Sequence, residues 1–131
     1  MAVAGTPDPG PDNGTTDCNT TSTTFVLPED PVNTGSRSSC VSARGAFDMV
    51  GNLFEWVADW VPRSTECGTW NAVISPTGDS QCLAGAATTG EPGALLRGGS
   101  FGSGSSAGPL TVDGRREPSS ANSSFGFRCA R

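Results

Sequence analysis

Histidine, lysine and tyrosine are all missing from this 131-residue chain. Without histidine there is no imidazole to take a proton from a serine or cysteine. The run Gly98-Gly99-Ser100-Phe101-Gly102 therefore fits the GxSxG pattern of serine hydrolases but lacks the base such enzymes need. The same absence, with no CxxC pair among the cysteines, removes the usual zinc ligand sets. Positive charge is sparse: arginine supplies all 8 basic residues, never more than two in a row, and the net charge is -5 with a pI near 4.4. Such a chain is not built to neutralise phosphates, which excludes nucleic acid as a partner class. No apolar stretch is long enough to span a bilayer, and the Met1 region has neither the charged head nor the hydrophobic core of a signal peptide.

Glycine (18) and proline (10) are abundant against a hydrophobic fraction of 34%. That mixture predicts one loop-rich domain with a modest core. The five cysteines, Cys18, Cys40, Cys67, Cys82 and Cys129, read as disulfide formers. Pairs Cys18–Cys40 and Cys67–Cys82 would each close a loop of moderate length, where a crosslink most usefully restrains the unfolded chain, and Cys129 is left over. This usage suggests an oxidising setting or a thermophilic cytoplasm.

Residues 1–39 have one apolar cluster, Phe25, Val26 and Leu27, and are expected to form an irregular, surface-lying connecting segment. Within it, Asn13 and Asn19 head glycosylation sequons that matter only in a secretory setting. Residues 46–62 are the densest apolar stretch. There Phe54, Trp56, Ala58 and Trp60 alternate with Glu55, Val57 and Asp59, which predicts a strand entered through a Gly51-Asn52 turn and stopped by Pro62. Trp56 and Trp60 are expected to share a face and fill much of the core. Asp48, Glu55 and Asp59 could do acid/base work, but beside tryptophans they fit better as partners of Arg97 or Arg128, or as ligands of a hard cation. Residues 63–93 read as a long connection. Residues 95–131 then frame a run of Gly, Ser, Asp, Arg and Asn between apolar ends, the pattern of loops held on a scaffold, or of a mere linker.

Three motifs in order, GAFDMVGNLFEWVADW, LLRGGSF and GFRCAR, resemble the formylglycine-generating enzyme (sulfatase-modifying factor) family over roughly residues 40–131. The resemblance implies an α+β, C-type-lectin-like fold, loop-rich with short antiparallel strands and few helices. Residues 40–131 would be the C-terminal part of that domain. The family's helical N-terminal half is not matched, so a missing half or a partner chain is expected, and it would supply the partner of Cys129. The family's enzymes oxidise a sulfatase cysteine using two copper-binding cysteines placed soon after RGGS. By register those positions fall at about Ser103 and Gly108, so both thiols are missing and no enzyme of this kind is expected. A divergent oxidase is the alternative reading.

A second branch fits better: the variable proteins of diversity-generating retroelements, whose hypervariable cassette lies between RGGS and GFR, here 97–128. The resemblance implies a non-catalytic protein that binds a protein or other ligand through Phe101, Ser103, Ser105, Ser106, Asp113, Arg115, Arg116, Glu117, Ser120, Asn122 and Ser124 on one solvent face. Leu96, Leu110, Val112, Phe125 and Phe127 would point inward. Phe101, Arg115 and Arg116 are expected to carry most of the binding energy, as aromatic and arginine side chains do. No cofactor is required. Positions matching the family's GNxxEW motif imply a structural calcium at Asn52 and Glu55, with Asn52 capping a turn and Glu55 meeting an arginine as the bland alternative.

Overall fold

The computed structural model describes residues 12–21, 31–67, 78–83 and 87–129. Five strands form one sheet: β1 (Phe54–Ser64), β2 (Gln81–Cys82), β3 (Thr88–Arg97), β4 (Val112–Arg116) and β5 (Phe125–Gly126), in the order β2-β4-β3-β1-β5. β1 and β3 pair antiparallel and so do β3 and β4, whereas β1–β5 and β2–β4 are parallel, so the sheet is mixed. Among the described residues the sole helical piece is a 3-10 turn at Gly104–Ser106. The loop-rich, few-helix expectation holds. The α-helical share of an α+β fold is absent from the described residues, and β1 and β3, at 11 and 10 residues, are longer than the short strands expected.

β1 forms where Trp, Phe and Val favour a pleated surface. It runs through Pro62 instead of stopping there. Pro62 lies directly opposite Pro92. Neither can donate an N–H, so the two form a non-hydrogen-bonded pair and the ladder loses nothing. The register slips between Trp56 and Trp60, where four steps on β1 span only two on β3 (Trp56↔Leu96, Trp60↔Ala94). The two tryptophans keep one face across this irregularity but differ in burial: Trp56 is half-buried, while Trp60 is 63% exposed and is not a core residue.

The core is small and partly polar. Leu96, Val50, Val112 and Thr111 are sealed, and Cys18, Cys40, Val50 and Ala107 form a buried cluster. The disulfides Cys18–Cys40 and Cys67–Cys82 are present as expected, and Cys129 is free and exposed. The first bond carries the leading segment into the interior. Residues 12–21 and 31–39 are irregular, as expected, but Cys18, Asn19, Thr20 and Arg37 are buried instead of lying on the surface. Burial of Asn19 closes its sequon to modification. Asp12 organises this segment by accepting from the N–H groups of Gly14, Thr20 and Thr21 and by facing Arg37 at 3.5 Å.

Candidate functional site

Two of the sequence motifs meet around Gly98. Its carbonyl accepts from the N–H groups of Gly51 and Gly108, and its own N–H reaches Thr111 O. A side chain is impossible here: φ is +85° and a Cβ would lie 2.6 Å from Met49 O. Asn52, at φ 58°, is the matching hub on the other side. Its backbone bonds Asn19 O and Phe101 N–H; its Oδ1 accepts from Asn19 Nδ2 (3.3 Å) and Val32 N (2.8 Å), and its Nδ2 donates to Val32 O (3.0 Å). The GN and RGGS motifs are thus the clasp that holds the leading segment, the start of β1 and the loop after β3 together.

The loop from Ser100 to Thr111 is tied down internally. Ser103 Oγ accepts from Ser100 N (2.9 Å), Thr111 Oγ1 donates to Ser106 O (2.6 Å), and the buried Asp79 accepts from Leu110 N (2.8 Å). Phe101 is 8% exposed, so it packs into the scaffold and does not face solvent as expected. Ser103 and Ser106 are half-buried and Ser105 is exposed. Leu110, expected inside, is 44% exposed, because its backbone N–H and carbonyl are held by Asp79 and Gln81 and its side chain is left outside. Leu96 and Val112 do point inward, and Phe125 is half-buried.

The remaining expected ligand residues follow the other end of β4. Asp113 is buried, and its carboxylate accepts from Arg115 Nε (3.0 Å), Nη2 (2.8 Å) and N (2.9 Å). That pairing raises the Arg115 guanidinium above its usual pKa. Arg115 is therefore partner to a buried acid and not a free contact residue. Arg116 is exposed and lies over the Phe125 ring, 5.7 Å from its centroid. Glu117 and Asn122 are exposed, Ser120 and Ser124 half-buried, and Glu117 with Glu91 brackets Arg63. Ser103, Ser105 and Ser106 precede β4, whereas Arg115 and Arg116 end it and Glu117, Ser120, Asn122 and Ser124 follow it, so the expected residues fall on both sides of β4 in the chain.

Arg128 closes the frame. Its Nε bonds both Glu55 oxygens at 2.7 Å and its Nη2 reaches Phe47 O (3.0 Å) and Asp48 O (3.3 Å); the hydrogen bond to Glu55, above all, raises its pKa. The Glu55–Arg128 pairing offered by the sequence is present, whereas Asp59 is exposed and Arg97 donates to Pro109 O. Asp48, Asn52, Glu55, Phe127 and Arg128 line a polar cleft beside β5, and Phe127, expected to be inward, is 76% exposed at its mouth.

Sequence reasoning missed a third surface. Register partners share a face of the sheet, which places Trp56 with Leu96 and Asp113, Trp60 with Ala94 and Arg116, and Phe54 with Phe125 on one side. Phe125 sits 5.5 Å from Trp56 and 6.3 Å from Phe54, edge to face. The available signal was Asp59 and Pro62 flanking Trp60, since charge and proline mark an edge strand more than a central one.

Residues 13–131 match the family described as the sulfatase-modifying factor enzyme 1-like domain. The chain belongs to that family. No curated protein and no solved structure matches it significantly. Set against this family's copper chemistry, the residues present do not fit. Ser103 offers a hydroxyl already bonded to Ser100, and a Cβ at Gly108 would lie 2.1 Å from Asp79 Oδ1, so no thiol can be placed there. The calcium expectation fares little better. Asn52 Oδ1 takes two N–H donors and both Glu55 oxygens are held by Arg128, whereas the buried Asp48 Oδ1 of the same cleft has no hydrogen-bond partner among the described residues.

Proposed function

We propose that this sulfatase-modifying-factor domain is a non-catalytic binding protein that presents residues between Arg97 and Arg128 to a ligand, as the variable proteins of diversity-generating retroelements do on a C-type-lectin-like scaffold. The observation that carries the reading is the exposed run Arg116–Ser119, at the end of β4 and in the turn that follows, while the framework around it supplies the core. Substitutions at such positions leave stability nearly unchanged, which is what a diversified surface requires. The Ser, Gly and Asn content of residues 97–128 as a whole, with occasional arginine, suits an adaptable contact surface. Of the residues expected to dominate, Arg116 stays available; Phe101 and Arg115 belong to the scaffold.

The rival reading, a divergent formylglycine-generating oxidase, is disfavoured by Ser103 and Gly108. Incubating the protein with copper and a sulfatase-derived cysteine peptide is expected to leave the peptide mass unchanged; formation of the aldehyde would overturn the proposal. Sequencing the flanking DNA is expected to find a near-copy of the codons for residues 97–131, differing at adenines, beside a reverse transcriptase.

A further inference from the structure

Among the arginines of the sheet, Arg63 holds Glu91 and Glu117, Arg115 holds Asp113, and Arg97 donates to the Pro109 carbonyl. Arg116 differs. It is exposed, and among the described residues its guanidinium meets only the Phe125 ring, 5.7 Å from the centroid. β3 and β1 lie between β4 and β5, so this contact draws the Arg116 side chain across the sheet, from the row it shares with Ala94 and Trp60 to the ring that Trp56 also touches. Ala94, which it crosses, is buried. Trp60, at the end of the same row, is largely exposed, and Pro62 and Pro92, paired in the next row, are exposed as well. A cation is thus fixed in place by an aromatic ring, with its hydrogen-bonding edge open and an apolar surface beside it.

We propose that this face docks a partner protein through a single carboxylate flanked by large apolar side chains, the carboxylate pairing with Arg116 and an apolar side chain lying on Trp60. The inference rests on the binding-protein reading, since Arg116 is one of the residues presented there; it adds Trp60, outside residues 97–128, and names the partner's chemistry. A guanidinium fork matches a carboxylate with two hydrogen bonds. Its contact with Phe125 leaves less side-chain freedom to be lost on binding. Tryptophan and arginine are also the side chains that most often dominate protein interfaces, and an open sheet face covers only one side of a small molecule, which favours a protein surface as the occupant. The other charges limit the match. Glu91 and Glu117 are engaged by Arg63, but exposed Asp59 precedes Trp60 and the chain as a whole carries -5, so a run of acids or a polyphosphate is repelled where one carboxylate is accepted.

The test is a titration of the isotope-labelled full chain with a short end-capped peptide, Ser-Leu-Glu-Leu-Ser, followed by NMR of the Trp60 indole and Arg116 guanidinium N–H signals. Both signals are expected to shift. Glutamine in place of the peptide's glutamate should weaken binding about threefold. Arg116→Ala should erase that preference, whereas Trp60→Ala should weaken both peptides alike; each variant removes an exposed side chain and should keep the urea midpoint of the parent. Equal binding of the glutamine peptide, or of one carrying lysine there, would overturn the proposal, as would the absence of any shift at millimolar peptide. A shift at Arg116 without one at Trp60 would overturn it while leaving the reading of residues 97–128 as a ligand surface intact. Failure of that reading has a different signature, an aldehyde formed on a sulfatase peptide. Trp60 signals that broaden with protein concentration in the absence of peptide would assign the face to a second copy, and the proposal would fall.

Discussion

Arg128 shows how one side chain can hold a frame together. It joins the last described residues to the start of β1 and to the loop at Phe47–Asp48, and its Glu55 partner is mostly covered. Arg128→Ala should cost about 1 to 2 kcal/mol, a charged hydrogen-bonded pair discounted for its partial exposure, read as a lower urea midpoint. Because its folded pKa is raised, the stability Arg128 contributes is complete below its unfolded value and is lost only as pH climbs through the folded one, in strong alkali. The penalty for Arg128→Ala should therefore be the same from about pH 5 to 9. The two neighbouring arginines separate in the same kind of measurement. Arg115→Ala leaves the buried Asp113 carboxylate short of its guanidinium and should cost about 1 to 2 kcal/mol, whereas Arg116→Ala should stay within about 0.5 kcal/mol. The sequence could not tell these arginines apart, since it does not say which one folds back on Asp113.

At the level of elements, β1 and β3 make the framework, and their burial is uneven. Leu96→Ala removes a side chain with 0% exposure and should cost about 2 to 5 kcal/mol. Trp60→Ala, despite deleting the larger group, should cost no more than about 0.5 kcal/mol by the same denaturation curves. The reverse ranking would mean that Trp60 is covered in solution. The crosslinks divide likewise. Cys18 and Cys40 are both buried, whereas Cys67 is exposed. Mild reductant should open Cys67–Cys82 first, because exchange needs access to a sulfur, and alkylation mapping by mass spectrometry would show the order. The strand and both disulfides were legible in the sequence, the strand from its alternation and the bonds from cysteine spacing. The slip between Trp56 and Trp60 was not, because a register shift depends on which β3 residues lie opposite.

For the whole molecule, the charge that a bound cation would supply at the GN motif is supplied by the chain itself. Asn52 serves Asn19 and Val32, and Glu55 serves Arg128. Adding calcium to chelator-treated protein should therefore leave Tm unchanged; a rise of several degrees would show that Glu55 can exchange its arginine for the ion. The same economy explains a core built around a disulfide and buried Asp79, Asn19 and Thr111: with 34% hydrophobic residues, polar groups must be buried, and each needs a partner.

By itself the sequence supplied an inventory of residues and spacings. No histidine, no paired thiols after RGGS, no basic run and no long apolar stretch are facts of composition and spacing. It also held the ordered motifs that pointed to the sulfatase-modifying factor family over roughly residues 40–131, a family whose match extends over residues 13–131. Only the tertiary structure decided which residues of the polar insert are scaffold and which are surface. Phe101 is buried because its N–H is held by Asn52 O, nearly fifty positions earlier. Trp60 is exposed because β5 ends before reaching it. Burial is set by partners distant along the chain, and a local pattern of apolar and polar residues does not name them.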